Sequence, residues 1–237
     1  MITQVPEPMM SESVTPESIA AERSHATLGM DDDAWKRYAE ILQGLPWPQP
    51  QRSAAESLRT LGVTSCCRGE GVSTTAAHLA VAAARRGEGR VLLMDCDLAR
   101  PAAHSWFALR NAPGVAECLL DGEPAGQFVR PSGVANLWLL TAGHLHGSPA
   151  RAYQSDGMVG LLKEVAADYD LTVCDLPPAA QTSCTAHLAG LLDGLLWVLE
   201  ADRVPLQAAR RVKELLVRAE ARLLGAVLNK RQERISD

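Results

Sequence analysis

From residue 58 onward, short continuous apolar runs alternate with longer stretches of mixed polarity. Continuous runs are typical of strands buried on both faces, whereas a strand with one solvated face alternates polar and apolar residues. The runs predict strands at 58–64, 91–95, 136–141, 171–175, 195–200 and 224–229. The intervening stretches predict helices at 74–86, 115–120, 150–168, 182–191 and 205–222. Because parallel strands need such crossovers, the pattern predicts a doubly wound α/β fold, mostly parallel, with helices on both faces.

The N-terminal part of the chain has a different character. Residues 1–34 contain seven acidic side chains and one basic one, with few large apolar residues, so an acidic disordered tail is expected at 1–33. Apolar residues at three-to-four spacing predict a helix over 34–42, capped by Asp33. Prolines 46, 48 and 50 predict an extended linker. The expected division is a tail at 1–33, a helix and linker at 34–52, and a main domain at 53–237.

Composition weighs against several classes of protein, among them nucleic-acid-binding, membrane-spanning, disulfide-rich and zinc-binding proteins. Aromatic residues make up 4% of the chain and the net charge is -5, which weighs against a nucleic-acid partner. No apolar stretch reaches the ~18 residues of a membrane span and no leader is recognisable, so a cytoplasmic protein is expected. Six cysteines without a C-x-x-C pair indicate neither a disulfide framework nor a zinc site. Nine basic and four acidic residues at 203–237 fit either a solvated helix face or a surface for an acidic partner.

The turn after the first predicted strand is a candidate phosphate-binding loop. Residues 64–74 read Thr-Ser-Cys-Cys-Arg-Gly-Glu-Gly-Val-Ser-Thr. Glycines permit tight backbone turns there, and successive amides at a helix start can bind phosphate oxygens. The pattern G-x-x-x-x-G-K-[ST] is not met, because Cys66 holds the first glycine position and Val72 the lysine position. Taken alone, the loop also fits an ordinary strand-to-helix turn.

Acidic residues end two further predicted strands. Asp95 and Asp97 follow the run at 91–95, and Asp175 ends the run at 171–175. Open α/β sheets bind ligands at the carboxyl ends of their strands, so these acids are expected to converge near Ser73 if their strands neighbour the loop strand. A hydroxyl with carboxylates near phosphates is how Mg²⁺ is normally held. An isolated acid at a strand end is also often a helix cap.

The order of these motifs resembles the cytoplasmic kinase domain of bacterial tyrosine kinases of the CpsD/CapB and Wzc type, relatives of the ParA and MinD P-loop ATPases. The resemblance spans about residues 55 to 230. It is carried by the loop at 64–74, by Asp-x-Asp-Leu-x-Arg-Pro at 95–101, and by Asp175 before two prolines. The stretch from 95 to Pro113-Gly114 is the most specific part and favours this family over partition ATPases.

The resemblance implies a P-loop fold that binds ATP or ADP with Mg²⁺. The implied phosphate-binding residues are Arg68, Gly69, Glu70, Gly71, Val72, Ser73 and Thr74. Mg²⁺ would be held by Ser73, Asp95 and Asp175. Asp97 would be the catalytic carboxylate, with Asp95 beside it, and Asn229 would face the adenine.

The sequence also departs from the family pattern. Val72 removes a positive charge where the phosphates are most negative, and losing such a donor typically lowers the rate ~10² to 10³-fold. Arg68 is the candidate replacement, since an arginine can bind phosphate. The last tyrosine is Tyr169, so the family's C-terminal tyrosine run is missing. The family's Glu-x-x-Arg-x-x-Arg oligomer helix is not recognisable either, which leaves a homo-oligomer open.

These observations favour a catalytically impaired tyrosine-kinase-like protein at the inner face of the plasma membrane. The resemblance implies a Wzz-like inner-membrane polysaccharide co-polymerase as partner, and a role in chain-length control and export of capsule or exopolysaccharide. One alternative is an active tyrosine autokinase or ATPase in which Arg68 takes the role of the lysine. Another is a positioning ATPase of the ParA/MinD type, because the predicted helix at 205–222 is rich in basic residues.

Overall fold

A single sheet of seven strands organises the part of the chain that the structure, a computed structural model, describes: residues 32–46, 58–153 and 156–231. The strands are β1 (Thr60–Ser65), β2 (Val91–Asp95), β3 (Arg130–Pro131), β4 (Leu137–Leu140), β5 (Leu171–Asp175), β6 (Gly194–Glu200) and β7 (Leu223–Asn229). Their order across the sheet is β3-β4-β2-β5-β1-β6-β7. The β3–β4 pair is antiparallel and the other pairs are parallel, so the predicted mostly parallel sheet is confirmed.

Helices cover both faces of this sheet. They are α1 (Asp32–Gln43), α2 (Val72–Arg85), α3 (Ala103–Trp106), α4 (Val115–Asp121), α5 (Pro149–Tyr153), α6 (Asp156–Asp168), α7 (Ser183–Gly190) and α8 (Leu206–Arg218), with a 3-10 turn at Ala125–Gln127. In the described part of the chain, no helix is long and apolar enough to span a membrane.

The core lies in two layers, one on each face of the sheet. Within β2, Val91 and Leu93 belong to the layer under α1 and α2, while Leu92 and Met94 belong to the opposite layer. Both sets are fully buried, which is why the strands read as continuous apolar runs. The alanine-rich α2 buries ten consecutive residues, since small side chains let a helix lie close to the sheet.

Several predicted bounds were wrong. The helix expected over 150–168 is two helices, α5 and α6, with residues 154 and 155 outside the described part. The predicted helix at 205–222 ends at Arg218, because Ala221 and the residues after it turn into β7. Strand β3 and helix α3 were missed, since two strand residues and four helix residues are too short to show a period.

Of the N-terminal predictions, the structure describes the helix but neither the acidic tail nor the linker. Helix α1 starts at Asp32, two residues before the predicted start, so Asp33 lies inside the helix instead of capping it. Its apolar face packs on α2: Leu42 is fully buried, and the Tyr38 ring contacts the His78 ring edge-on at 5.0 Å between centroids. The acidic tail before residue 32 and the linker at 47–57 lie outside the described residues and stay predictions.

Candidate functional site

The loop between β1 and α2 has the backbone of an anion-binding turn. Gly69 has φ 85° and Gly71 has φ 94°, the left-handed region in which side chains are strained. Gly71 is also the N-cap of α2, and the first amides of a helix have no partner within the helix, so they are available at the loop. A Cβ at Gly71 would lie 2.2 Å from Nδ2 of Asn229, so any side chain there would displace Asn229 and also be strained by the positive φ.

The loop is held from behind by the ends of β6 and β7. Glu70 is fully buried, and its carboxylate accepts hydrogen bonds from the amides of Cys67 at 2.5 Å and Glu200 at 3.4 Å. The amide group of Asn229 donates to the carbonyl oxygen of Glu70 at 2.9 Å. The carboxylate of Glu70 therefore supports the loop. Of this predicted phosphate-binding residue, only the backbone amide is left to bind phosphate.

The carboxyl ends of β2 and β5 bring two acids together. Asp95 and Asp175 are paired in register on these neighbouring strands, and β5 lies beside β1. Both carboxyls are buried. Asp95 is well supported: Oδ1 accepts from the amide of Asp97 at 3.1 Å, and Oδ2 accepts from the amides of Ala102 at 2.9 Å and Ala103 at 3.0 Å. Burial nevertheless raises the pKa of Asp95 to about 6, although these hydrogen bonds oppose the rise.

Asp175 lacks comparable support. Only 2% of it is exposed, and among the described residues neither carboxylate oxygen has a hydrogen-bond partner of normal geometry. Burial, and then the charge of Asp95, raises the pKa of Asp175 well above its usual range, while the Ser73 side chain works against the rise. A buried carboxylate without hydrogen bonds raises the free energy of the folded state, and such groups are typical of cation-binding sites.

Asp97 is held in place by a residue that the sequence did not single out. The hydroxyl of Tyr153, a fully buried side chain, donates to the carbonyl of Cys96 at 2.5 Å and accepts from the amide of Leu98 at 3.1 Å. These two bonds bracket Asp97. Burial raises the pKa of Tyr153 far above its usual range, so the phenol stays protonated. A tyrosine at the start of a predicted helix gave no signal of this role, because the contact joins residues 55 and 57 positions apart.

The positive charges around the loop are arranged differently from the expectation. Val72, at the lysine position, is partly buried and packs against the core layer under α2. Arg68, the candidate replacement, forms an ion pair with Asp97, with 2.9 Å between Nη1 and Oδ2. Lys230, which belongs to none of the sequence motifs, donates from Nζ to the carbonyl oxygen of Gly69 at 2.6 Å. Its position directly after Asn229, at the end of the last strand, was the available signal.

A cavity of about 320 Å³ lies in front of the loop. Its lining includes most of the predicted site residues: Arg68, Gly69, Gly71, Val72, Ser73, Thr74, Asp97 and Asp175. Arg100 and Lys230 also contribute to it. Three predicted site residues, Glu70, Asp95 and Asn229, are not part of this lining. Asp95 is covered by the 97–103 turn, and Glu70 and Asn229 lie behind the loop.

The residues present fit a magnesium ion held together with phosphates. Within the described residues, no group of three or more His, Cys, Asp and Glu side chains is arranged to hold a metal alone. Magnesium is usually bound through one or two carboxylates plus phosphate oxygens, so a protein-only cage is not required. The two carboxylate oxygens of Asp175 that lack hydrogen bonds, beside Ser73, are the observation that supports this fit.

The fold and the loop define a P-loop protein, and comparisons with known proteins specify its family. Over 177 residues the chain is 36% identical to the tyrosine-protein kinase YwqD of Bacillus subtilis (strain 168), covering 75% of this chain and 74% of YwqD. The chain belongs to the family of bacterial tyrosine-protein kinases. It is also 28% identical over 201 residues to the succinoglycan biosynthesis transport protein ExoP of Rhizobium meliloti (strain 1021), covering 81% of this chain and 25% of ExoP. No protein-family model matches the chain.

Solved structures agree with this assignment at the level of the fold. The kinase domain of the Escherichia coli tyrosine kinase ETK superposes with a TM-score of 0.79 at 22% identity, covering 89% of this chain and 82% of that domain. Cobyrinic acid a,c-diamide synthase from Mycobacterium smegmatis, solved with ADP and magnesium bound, superposes with a TM-score of 0.62 at 20% identity, covering 74% and 76%. The predicted P-loop fold and the resemblance to bacterial tyrosine kinases are thus confirmed.

Proposed function

We propose that the chain binds a nucleoside di- or triphosphate with Mg²⁺ in the loop cavity and acts as a catalytically impaired tyrosine-kinase-like protein of polysaccharide export. The observation that carries the proposal is the buried carboxylate of Asp175, whose oxygens lack hydrogen-bond partners of normal geometry among the described residues, beside Ser73 and a loop with two glycines at positive φ. An anion and a divalent cation together complete such a site, whereas either one alone leaves charge uncompensated.

Each part of the site has a defined task in this proposal. The backbone amides of residues 69–74 would bind the phosphate oxygens, because the loop and the start of α2 direct N–H groups into the cavity. Ser73 and Asp175 would hold Mg²⁺, which when bound would neutralise phosphate charge. Asp95, predicted as a third ligand, is covered by the 97–103 turn and would contribute its buried charge from beside Asp175. Asp97 would accept the proton of an incoming hydroxyl group, and Tyr153 would keep it at the required place.

Two features support the impairment. The side chain of Val72 carries no charge, and losing one preorganised donor typically lowers turnover ~10² to 10³-fold. The ion pair of Arg68 with Asp97 must also open before an incoming hydroxyl group can reach Oδ2 of Asp97, since Nη1 of Arg68 occupies that oxygen at 2.9 Å. The same ion pair weighs against Arg68 as a free substitute for the lysine.

The polysaccharide part of the proposal is supported by the relatives. ExoP is named for succinoglycan biosynthesis and transport, and this chain matches a quarter of its length. We propose that the chain works with a separate Wzz-like membrane co-polymerase that carries out the remaining tasks of such a protein, and that it lies at the inner face of the membrane through this partner. An oligomer of the chain and a cytoplasmic location belong to the same proposal.

Calorimetric titration with MgADP tests the site. Wild type is expected to bind, and Asp95→Ala to weaken binding at least tenfold, because it removes the carboxylate beside Asp175 and the support of the 97–103 turn. Asp175→Asn, which keeps the shape of the side chain, is expected to do the same and covers the case in which Asp95→Ala fails to fold. Asp168→Ala removes an exposed acid at the end of α6 and serves as the control. Equal affinity in all four proteins contradicts the proposed site.

Turnover and complementation test the impairment and the biological role. Val72→Lys is expected to raise ATP turnover ~10² to 10³-fold over wild type; wild-type turnover equal to that of Val72→Lys would contradict impairment. In a strain lacking the gene, wild type and Asp97→Asn are both expected to restore the length distribution of the secreted polysaccharide, since the proposed role needs no phosphoryl transfer. Rescue by wild type but not by Asp97→Asn would show that catalysis is required, and an unchanged polysaccharide in the deletion strain would refute the role in export.

A further inference from the structure

Lys230 lies where two cavities meet. The loop cavity of about 320 Å³ lies on one side of it. On the other side is a groove of about 710 Å³ between α1 and β7, lined among others by Arg37, Tyr38 and Asn229. Thr74 and Lys230 line both spaces. The two cavities therefore adjoin at Thr74 and Lys230, with the cation at their junction.

The charge of Lys230 is fixed in position by two contacts. Its Nζ donates to the carbonyl oxygen of Gly69 at 2.6 Å and contacts Oε2 of Glu200 at 3.2 Å. The same Glu200 oxygen accepts from Nη1 of Arg203 at 2.6 Å. Two cations, Lys230 and Arg203, therefore surround the Glu200 carboxylate, and the buried Glu70 carboxylate lies beside them behind the loop.

The other cations that line the loop cavity are less suited to a phosphate. Arg68 is neutralised by Asp97, as described above. Arg100 and Lys230 are both exposed, and an exposed side chain must be immobilised before it can bind a ligand. Lys230 is already held against the loop backbone, which lowers the entropy lost when a ligand binds.

We propose that Lys230 supplies, from the end of β7, the positive charge that the loop lacks at Val72, so that a nucleoside di- or triphosphate binds with its phosphates in the loop cavity and its nucleoside in the α1–β7 groove. This inference rests on the proposed function. It names Lys230 as the residue whose charge allows nucleotide to bind although the loop lysine is replaced by Val72. Negative phosphates at the loop then meet the ammonium group of Lys230 in the cavity wall instead of only an aliphatic side chain.

The test is titration of the full-length protein with MgADP, Mg-pyrophosphate and adenosine. Lys230→Gln is expected to weaken MgADP and Mg-pyrophosphate binding about tenfold or more and to leave adenosine binding within twofold, because the lost charge acts on phosphates. Lys230→Arg is expected to stay within about threefold of wild type. Lys213→Gln removes an exposed lysine of α8 and serves as the control, with no change expected. Equal MgADP affinity for wild type and Lys230→Gln would overturn the inference.

Two readouts separate a charge effect from loss of loop support. Log Kd for MgADP is expected to depend less steeply on salt concentration in Lys230→Gln than in wild type, since one charge contact is gone. The double variant Val72→Lys with Lys230→Gln is expected to recover wild-type affinity. Unchanged salt dependence together with failed recovery would mean that Lys230 only shapes the loop, and would overturn the inference.

The proposed function and this inference fail in different ways. Wild type that binds neither MgADP nor Mg-pyrophosphate refutes nucleotide binding itself. Wild type that binds MgADP, with an affinity that depends on Asp175 but not on Lys230, leaves the proposed function intact and refutes the role of Lys230. Substituting Tyr38→Ala is expected to weaken MgADP but not Mg-pyrophosphate; weakening of both, or of neither, would contradict the placement of the nucleoside in the groove.

Discussion

Replacing Asp175 by asparagine is expected to stabilise the nucleotide-free protein. Asp175 is buried, its two carboxylate oxygens lack hydrogen bonds among the described residues, and it lies in register with Asp95. An uncompensated buried charge costs about 3 to 5 kcal/mol. Asparagine removes the charge at nearly constant shape but leaves an amide with unsatisfied polar atoms, at a cost of about 1 to 3 kcal/mol. The net expected gain is about 2 kcal/mol.

The gain can be measured as a shift in the thermal midpoint. For a protein of this size, 1 kcal/mol corresponds to about 2 to 4 °C, so Asp175→Asn is expected to raise Tm by about 5 °C at pH 7.5 without Mg²⁺ or nucleotide. Differential scanning calorimetry in EDTA is the assay. Asp168→Asn, which removes an exposed charge at the end of α6, controls for net charge and is expected to change Tm by less than about 2 °C.

The buried acids also predict how the stability of the protein changes with pH. Burial raises the pKa of Asp95 to about 6 and also raises the pKa of Asp175, so the folded state binds more protons than the unfolded state. Stability then falls as pH rises through the folded pKa and is greatest below the unfolded value near 4. Wild-type Tm is expected to fall from pH 5 to pH 7.5, and the difference from Asp175→Asn to shrink as pH falls. Parallel Tm curves for the two proteins, or a lower Tm for Asp175→Asn at pH 7.5, would refute this account.

Three further substitutions test the rest of the site. Gly71→Ala is expected to abolish MgADP binding and to lower Tm, because its Cβ would meet Asn229 at 2.2 Å at a positive φ; binding within twofold of wild type in a titration would contradict this. Asp193→Ala removes the carboxylate that accepts the first amides of β1, and is expected to cost about 2 kcal/mol in urea unfolding with no change in the affinity of the remaining folded protein for MgADP. Arg68→Ala frees Asp97 and is expected to raise residual ATP turnover or leave it unchanged; a tenfold loss would show that Arg68 acts on the phosphates.

The sheet and the acids at its edge could be predicted because their signals are local. A run such as 171–175 is apolar throughout and ends in an acid, and two parallel strands place their carboxyl ends at one edge. The sequence did not reveal that β5, which carries Asp175, lies between β2 and the loop strand β1. Strand order depends on how helices pack on both faces, and no single segment contains that information.

The supports of the site could not be predicted for a different reason. Tyr153 brackets Asp97 from a helix more than 50 positions away, and Glu70 is held by Glu200, 130 positions along the chain. Contacts of this kind depend on the assembled sheet, and an isolated tyrosine or glutamate looks the same whether it is exposed or buried. Glu70 even appeared as a phosphate-binding residue, because a family motif records which residue is present and not what its side chain contacts.

Val72 occupies the loop position of the lysine, and it shows how much of the function depends on that one lysine. From the sequence alone, Val72 predicts weaker phosphate binding, since a valine side chain carries no charge. The structure adds that its side chain is packed against the core layer under α2, so the loop keeps its backbone shape without the lysine. What binds phosphate in such a loop is first the set of amides, which Gly69 and Gly71 still permit, and second the local charge, which need not come from the loop. Binding and turnover can therefore separate: a cation behind the loop attracts a bound phosphate, whereas transfer needs a charge that follows the phosphate through the reaction.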